Sequence, residues 1–168
     1  MRTVTLIRHA HSVANVTEAP ASMPAEDLAF ANRSAGLTER GENECRHLAP
    51  QLPIRYGINP SETPVAVSTF ERPKLTAVRL GFVTIRAYSE LDEVDYGMNL
   101  EELRAQLREN LIPRVAIEAA RATLAQAPDE DVWITHALLI GGICIELGIV
   151  DRYERPTPRP CEVRQITF

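Results

Sequence analysis

The sequence predicts an α/β fold: a three-layer sandwich whose mostly parallel sheet carries helices on both faces and an antiparallel strand at one edge. Three observations carry this. Short apolar runs recur at Val4–Ile7, Pro64–Ser68 and Val132–His136, the pattern of strands buried on both faces. The second and third runs lead directly into helix-like stretches, the alternation that builds parallel sheets. The chain closes on Cys161–Phe168, where Val163, Ile166 and Phe168 alternate with polar residues, as in a half-buried edge strand.

The 168 residues, 45% of them hydrophobic, are enough for one domain spanning 1–168 with a real core. A net charge of −5 argues against a nucleic-acid partner, which would need a basic face, but leaves room for a small cationic pocket. Cys45, Cys144 and Cys161 are odd in number and widely spaced; they read as neutral thiols, not as a disulfide framework or a zinc site. The apolar stretch at the N-terminus is too short for a signal sequence. The longest apolar run, Ala137–Ile145, falls short of the ~20 residues that span a membrane. The expectation is a cytoplasmic protein with no membrane partner.

Along the chain, Val4–Ile7 ends in Arg8, His9 and His11. Residues 16–36 lack periodicity and read as a loop with one short helix at most, either a wall of a site or a solvated connector. Thr38 can cap a helix whose apolar face is Cys45, Leu48, Ala49 and Leu52, with Pro53 as its end. His47 lies off that face and reads as solvated. After the strand at 64–68, Pro73 suits a first helical turn and Gly81 a terminator, which puts Arg72 beside a helix N-terminus. Thr84–Ala87 is a weaker strand. Glu90, Asp92, Glu93 and Asp95 follow in an acidic loop; one of them can act as a proton donor if partial burial raises its pKa, the others reading as solvated charges.

Asn99 can cap a helix through Leu103 and Leu107, and Pro113 can start another through Val115, Ala119 and Leu124. His136 ends the fourth strand and opens a stretch that is apolar on all sides, a buried helix. Gly141 and Gly142 inside it imply close packing on a neighbour. The helix dipole should lower the His136 pKa. Residues 151–160, with Arg152, Arg155 and Arg159, read as a basic surface connector.

In a parallel sheet the carboxyl ends of the strands share one edge, so Arg8, His9, Arg72 and His136 should converge there. Two guanidiniums, two imidazoles and two helix N-termini suit a phosphoryl group. An imidazole nitrogen can attack phosphorus to give a phosphohistidine.

Five segments in this order carry a resemblance: Arg8-His9-Ala10 with Ser12 and Asn15; Leu37-Thr38-Glu39-Arg40-Gly41; Ser68, Arg72, Thr76 and Ala77; Leu91–Gly97; and His136. On them the chain resembles the histidine phosphatase superfamily, also called phosphoglycerate mutase-like, over nearly its whole length. The resemblance implies His9 as the phosphorylated nucleophile and Glu93 as the acid that protonates the leaving group. It implies Arg8, Arg72 and His136 around the phosphate, with Ser12 and Asn15 also on the substrate, and no metal or other cofactor. The implied activity is hydrolysis of a small phosphomonoester. The alternatives are a phosphosugar or phosphoglycerate mutase, a protein phosphohistidine phosphatase, and a non-catalytic phosphate-binding module.

The chain departs from the family pattern at Ala10 and Ala137, where glycine usually follows each histidine, and at His11, which either adds a titrating group near the phosphate or faces solvent. Thr69, Pro73 and the Met98-Asn99-Leu100 run also differ. The extra Cβ atoms bear on substrate fit more than on chemistry.

Overall fold

A computed structural model describes residues 1–15, 25–94 and 100–168. Five strands, β1 (Thr3–Arg8), β2 (Val65–Ser68), β3 (Ile85–Tyr88), β4 (Val132–Thr135) and β5 (Val163–Thr167), form one sheet in the order β3-β2-β4-β1-β5. The pairs β1/β4, β2/β4 and β2/β3 are parallel, and β5 runs antiparallel to β1. This is the mixed sheet that the sequence predicts, with the alternating C-terminal run on its edge.

Strand residues alternate between two cores. Leu6, Ala66 and Trp133 pack with Leu139, Ile140 and Ile143 on one face. Ile7, Val65, Val67 and Ile134 pack with Cys45, Leu52, Ala77 and Leu80 on the other. Burial on both faces is why these strands are continuously apolar. The second face is covered by α2 (Glu39–Leu48), α3 (Gln51–Tyr56) and α4 (Glu71–Leu80), and the first by α6 (Arg114–Ala125) and α7 (Ala137–Glu146). Two more helices, α1 (Ala25–Ser34) and α5 (Leu100–Arg108), follow the two stretches that are not described.

The helix expected to run from Thr38 to Pro53 is in fact two. Thr38 caps α2 as expected, accepting from the Gly41 N–H. The helix stops at Leu48 because Pro50 has no N–H for the next helical bond. Pro53 ends nothing; it sits in the first turn of α3, where a missing donor costs little. The α4 expectations hold: Pro73 lies in its first turn and Gly81 closes it at φ 91°, a left-handed conformation that glycine adopts freely. Residues 16–24, and Asn99 as a cap, lie outside the described residues.

The paired glycines of α7 are packed as expected. A Cβ on Gly142 would overlap the backbone carbonyl of Ala116 in α6, and one on Gly141 would press on Ile112 and Pro156. That contact seats α7, whose first turn follows His136, against α6. Among the described residues no helix is long and apolar enough to cross a membrane.

Candidate active site

The carboxyl ends of β1, β2 and β4 bring His9, Arg72 and His136 together. His9 follows β1 and is 2% exposed. Its Nδ1 lies 2.7 Å from the Ala10 carbonyl and its Nε2 accepts from Arg72 Nε at 3.1 Å. A carbonyl only accepts and a guanidinium only donates. His9 is therefore protonated on Nδ1 and carries its lone pair on Nε2. Burial pushes the His9 pKa well below its usual 6.5, and His136, Arg72 and Arg8 push it further. The ring is neutral and nucleophilic at neutral pH.

Arg72, in the first turn of α4, is 3% exposed and holds the cluster together. Its Nη2 donates toward His136 Nδ1 at 3.2 Å and Glu93 Oε2 at 3.4 Å, and Nη1 donates to the Asn32 carbonyl at 2.6 Å. The guanidinium lies 5.0 Å from the ring centre of Phe70, a cation–π contact that helps fix its plane.

His136 caps α7 and is fully buried. Its Nε2 lies 3.0 Å from Ser68 Oγ, and Ser68 donates its own proton to Asp92 Oδ1 at 2.8 Å. His136 therefore donates from Nε2 and accepts Arg72 on Nδ1. Its pKa is lowered, as expected, but burial is the leading cause, against the opposing pull of Glu93.

Glu93 reaches the same point, Oε2 standing 3.3 Å from His136 Nδ1. The raised pKa expected of the acid is not found. Burial alone would raise it, but His136, Arg72 and Arg8 overcome burial and hold the carboxyl below its ordinary value. Asp92 differs from its reading as a solvated charge: it accepts from Ser68 Oγ, from the Thr69 N–H at 2.7 Å and from the Thr69 hydroxyl. It ties β2 to the start of α4 and orients Ser68. Asp95 lies outside the described residues.

Arg8 ends β1 between this cluster and the surface. Nη1 donates to the Pro158 carbonyl at 2.8 Å, while its Nε is buried without a partner among the described residues. Ser12 is fully buried, and its N–H and hydroxyl both donate to Asn15 Oδ1, at 2.8 and 3.0 Å; Ser12 orients Asn15. His11 is half-buried, with Nδ1 2.8 Å from Thr38 Oγ1. His47 is exposed and bonded to its own helix, through the Asn43 carbonyl. Ala10 is buried, and its N–H donates to Thr76 Oγ1 at 3.0 Å; its Cβ is accommodated.

The site loop is clamped by the Leu37–Gly41 segment. Ser12 bridges Leu37, and the Thr38 N–H donates to the His11 carbonyl at 3.1 Å. A Cβ on Gly41 would overlap that carbonyl. Roles the sequence did not single out are those of Ser68 and Asp92 behind His136 and of the Asn32 carbonyl on Arg72. Ser68 stands in a quoted segment and Asp92 among the candidate acids; nothing in residue type marked Asn32.

Donor atoms of His9, Glu93 and His136 lie within 4.8 Å of one another, close enough for a metal ion. The Arg72 guanidinium, itself a cation, donates toward the same three groups.

The fold matches solved structures along its whole length. A phosphoglycerate mutase from Thermus thermophilus superposes with a TM-score of 0.64 at 19% identity, over 98% of this chain and 92% of that one. The chain has the phosphoglycerate mutase-like fold. A phosphoserine phosphatase from Entamoeba histolytica, solved with 3-phosphoglyceric acid, gives a TM-score of 0.64 at 15% identity over 100% of this chain and 91% of that one. A protein titled Mycobacterial hydrolase 1 gives 0.61 at 18% identity, over 98% and 88%. No protein-family model matches the chain, and no curated protein matches it by sequence. In the phosphoglycerate mutase-like fold of this chain, His9, Arg72 and His136 all stand at the carboxyl edge of the parallel strands, where open α/β sheets bind ligands.

Proposed function

We propose that the chain, as one domain over residues 1–168, is a histidine phosphatase superfamily enzyme that hydrolyses a small phosphomonoester without a metal. The observation that carries this reading is the Nε2 lone pair of a neutral His9, aimed at a buried guanidinium beside His136 and Glu93.

The Nε2 lone pair attacks phosphorus, and the phosphorus–oxygen bond to the leaving group breaks. Glu93 gives its proton to the departing alkoxide. Arg72 and Arg8 hold the equatorial oxygens, where charge persists throughout the transfer, and His136 joins them once its Nδ1 takes up a proton in place of the Arg72 contact. The Glu93 carboxylate then takes a proton from water, whose oxygen attacks phosphorus. The phosphorus–nitrogen bond breaks, and the electron pair returns to His9 Nε2. The cations on the phosphoryl group are side chains, so the reading needs no metal. Ser12 acts on the substrate through Asn15.

The phosphoglycerate mutase neighbour favours a second reading, phosphoryl transfer back to substrate in place of water. The loop Leu91–Gly97 lacks the Glu-Arg-His-Tyr-Gly form of that loop in mutases, which favours hydrolysis. A protein phosphohistidine phosphatase is disfavoured by the presence of Glu93, and a non-catalytic phosphate-binding module by the full set Arg8, His9, Arg72, Glu93 and His136. The cytoplasmic setting is part of the same reading, on the odd count and wide spacing of Cys45, Cys144 and Cys161.

Rapid quenching with a phosphomonoester tests the proposal. Acid-labile, base-stable phosphate on the peptide carrying His9 is the expected result; wild-type turnover by His9→Ala excludes it.

A further inference from the structure

We propose that Cys45 and Cys161 are a thiol–disulfide pair: a low-molecular-weight disulfide converts them to an internal disulfide, which latches the loop Arg8–His11 between α2 and the segment entering β5.

The two cysteines are 116 residues apart in the chain, yet their sulfurs stand 4.0 Å apart. Cys45, in α2, is fully buried. Cys161 is half-buried and packs on the same core. Cys144 belongs to the core on the opposite face of the sheet and does not share the contact. Each sulfur sits on a rotatable Cα–Cβ bond, and the pair has to close by about 2 Å to bond. The backbone at Cys161 is left-handed, with φ 57°. Glycine adopts that conformation freely and a residue with a Cβ does not. A strained position thus presents a thiol to Cys45 where glycine would serve the turn alone.

Cys161 also lines a surface cavity of about 290 Å³, together with Tyr56, Glu44 and Glu162. A small neutral disulfide can enter there and meets Cys161 first; the two carboxylates disfavour an anionic reagent. Cys161 loses its proton to solvent, and its sulfur attacks one sulfur of the reagent. The reagent's S–S bond breaks, and one small thiolate leaves and takes up a proton. Cys45 then loses its proton and attacks the Cys161 sulfur, and the second small thiolate leaves and is protonated. Two protein thiols are oxidised and one small disulfide is reduced to two thiols. The contact with Cys45, and then burial, push the Cys161 thiol above its ordinary pKa. The exchange is therefore slow, a matter of hours, and the pair answers sustained oxidation.

The bond would close a ring around the candidate nucleophile. Glu44, next to Cys45, accepts from the His11 N–H at 2.8 Å. The Cys161 N–H donates to the Arg8 carbonyl and the Arg8 N–H to the Glu162 carbonyl, both at 3.1 Å. His9 and Ala10 lie between these two anchors. The segment carrying Cys161 is itself held: Arg164, 1% exposed, donates to Glu162 Oε1 at 2.9 Å, to the Arg155 carbonyl at 2.8 Å and to the Pro156 carbonyl at 2.5 Å. A covalent link from this segment to α2 restrains both ends of the loop at once.

The test exposes the whole chain to excess 2-hydroxyethyl disulfide for hours, alkylates the remaining thiols and maps the peptides without reductant. A peptide pair linked through Cys45 and Cys161 is expected, with Cys144 alkylated and the link reversed by dithiothreitol. The linked protein should melt higher by roughly 5 °C or more, because the bond closes a long loop of the unfolded chain. Amide exchange at His11 and Cys161 should slow by roughly tenfold or more. Neither readout requires a substrate. Cys161→Gly, which suits the left-handed backbone, and Cys45→Ala should show neither response; Cys161→Gly suffices if Cys45→Ala does not fold. Three thiols still free, a mixed disulfide that persists on Cys161, or a link through Cys144 overturns the proposal. So does a linked protein that melts no higher, or whose His11 and Cys161 amides exchange as before.

Discussion

Arg72 Nε donates to His9 Nε2 at 3.1 Å, so the lone pair that would attack phosphorus is occupied in the protein without substrate. An arriving phosphoryl group has to replace the imidazole as the acceptor for Arg72. That exchange bares the lone pair and at the same time places the guanidinium on a phosphate oxygen. The fixed Nδ1–H contact to the Ala10 carbonyl keeps the ring aimed throughout.

Arg72→Lys tests this directly. Arg72 donates in three directions, to His9, to Asn32 and to the His136–Glu93 pair. A lysine keeps the charge and loses the planar fork. The expected result is a fall in kcat/KM of well over tenfold, about 1.4 kcal/mol or more of transition-state stabilisation. Turnover equal to wild type would mean that Arg72 does not touch the reacting group.

Burial first, and then the neighbouring His136, Arg72 and Arg8, depress the His9 pKa below its usual 6.5. Burial does the same for His136. Between the lowered folded value and the ordinary unfolded one, the unfolded chain binds more protons. Stability should therefore fall as pH drops below about 6.5, the unfolded value, toward the folded one. NMR titration of the His9 ring carbons should place its pKa below 6.5. A His9 that titrates at or above that value contradicts both the stability trend and the neutral nucleophile.

Gly41→Ala should damage the site from a distance. The new Cβ would meet the His11 carbonyl, a backbone atom that cannot rotate away. The loop carrying His9, His11 and Ser12 must shift, or the start of α2 must. Overpacking of this kind costs roughly 1–3 kcal/mol, so thermal melts should show a clear loss, together with reduced kcat. Gly36→Ala is the control: its Cβ would meet only Leu75 Cδ1, at an ordinary 3.9 Å. Equal behaviour of the two variants would remove Gly41 from the clamp.

The difference between those glycines shows what the sequence could tell. Leu37–Gly41 is recognisable as a segment, yet the reason for Gly41 is a contact with His11, distant in the chain and adjacent only in the fold. Strands and their order of burial were legible because continuous apolar runs have few other uses. So was the gathering of Arg8, His9, Arg72 and His136, since strand ends of a parallel sheet share an edge. The break between α2 and α3 falls earlier than expected because Pro50 and Pro53 look alike in sequence: one lacks a donor that a helix needs, the other sits where none is needed. Asp92 and Glu93 are neighbours in one acidic run, and only the fold turns Asp92 onto Ser68 and Thr69 and Glu93 onto Arg72 and His136. Arg155 reads as a surface charge in the sequence, because nothing local to it shows that the buried Arg164 holds its backbone.

Glu93 poses the sharpest test, because its carboxyl is held below the ordinary pKa while its proposed role needs a proton. Burial favours the protonated form, and the positive groups around it outweigh burial. A phosphoryl dianion bound on Arg72, Arg8 and His136 offsets those charges and adds negative charge beside Glu93, so the balance should reverse and the pKa should rise. The proton would then arrive with the substrate. Calorimetric binding of a tungstate dianion, repeated in buffers of different ionisation enthalpy, should show proton uptake by wild type and less by Glu93→Gln. In single-turnover experiments Glu93→Gln should slow phosphoenzyme formation from an alkyl phosphate far more than from p-nitrophenyl phosphate. An alkoxide is strongly basic and leaves with a proton, whereas nitrophenolate departs with little help. Equal slowing of both substrates, with no uptake of a proton on binding, would reduce Glu93 to a group that positions Arg72 and His136. If Glu90→Gln shows the leaving-group dependence instead, the acid lies in the 3₁₀ turn Ser89–Leu91 and is not the residue that touches His136.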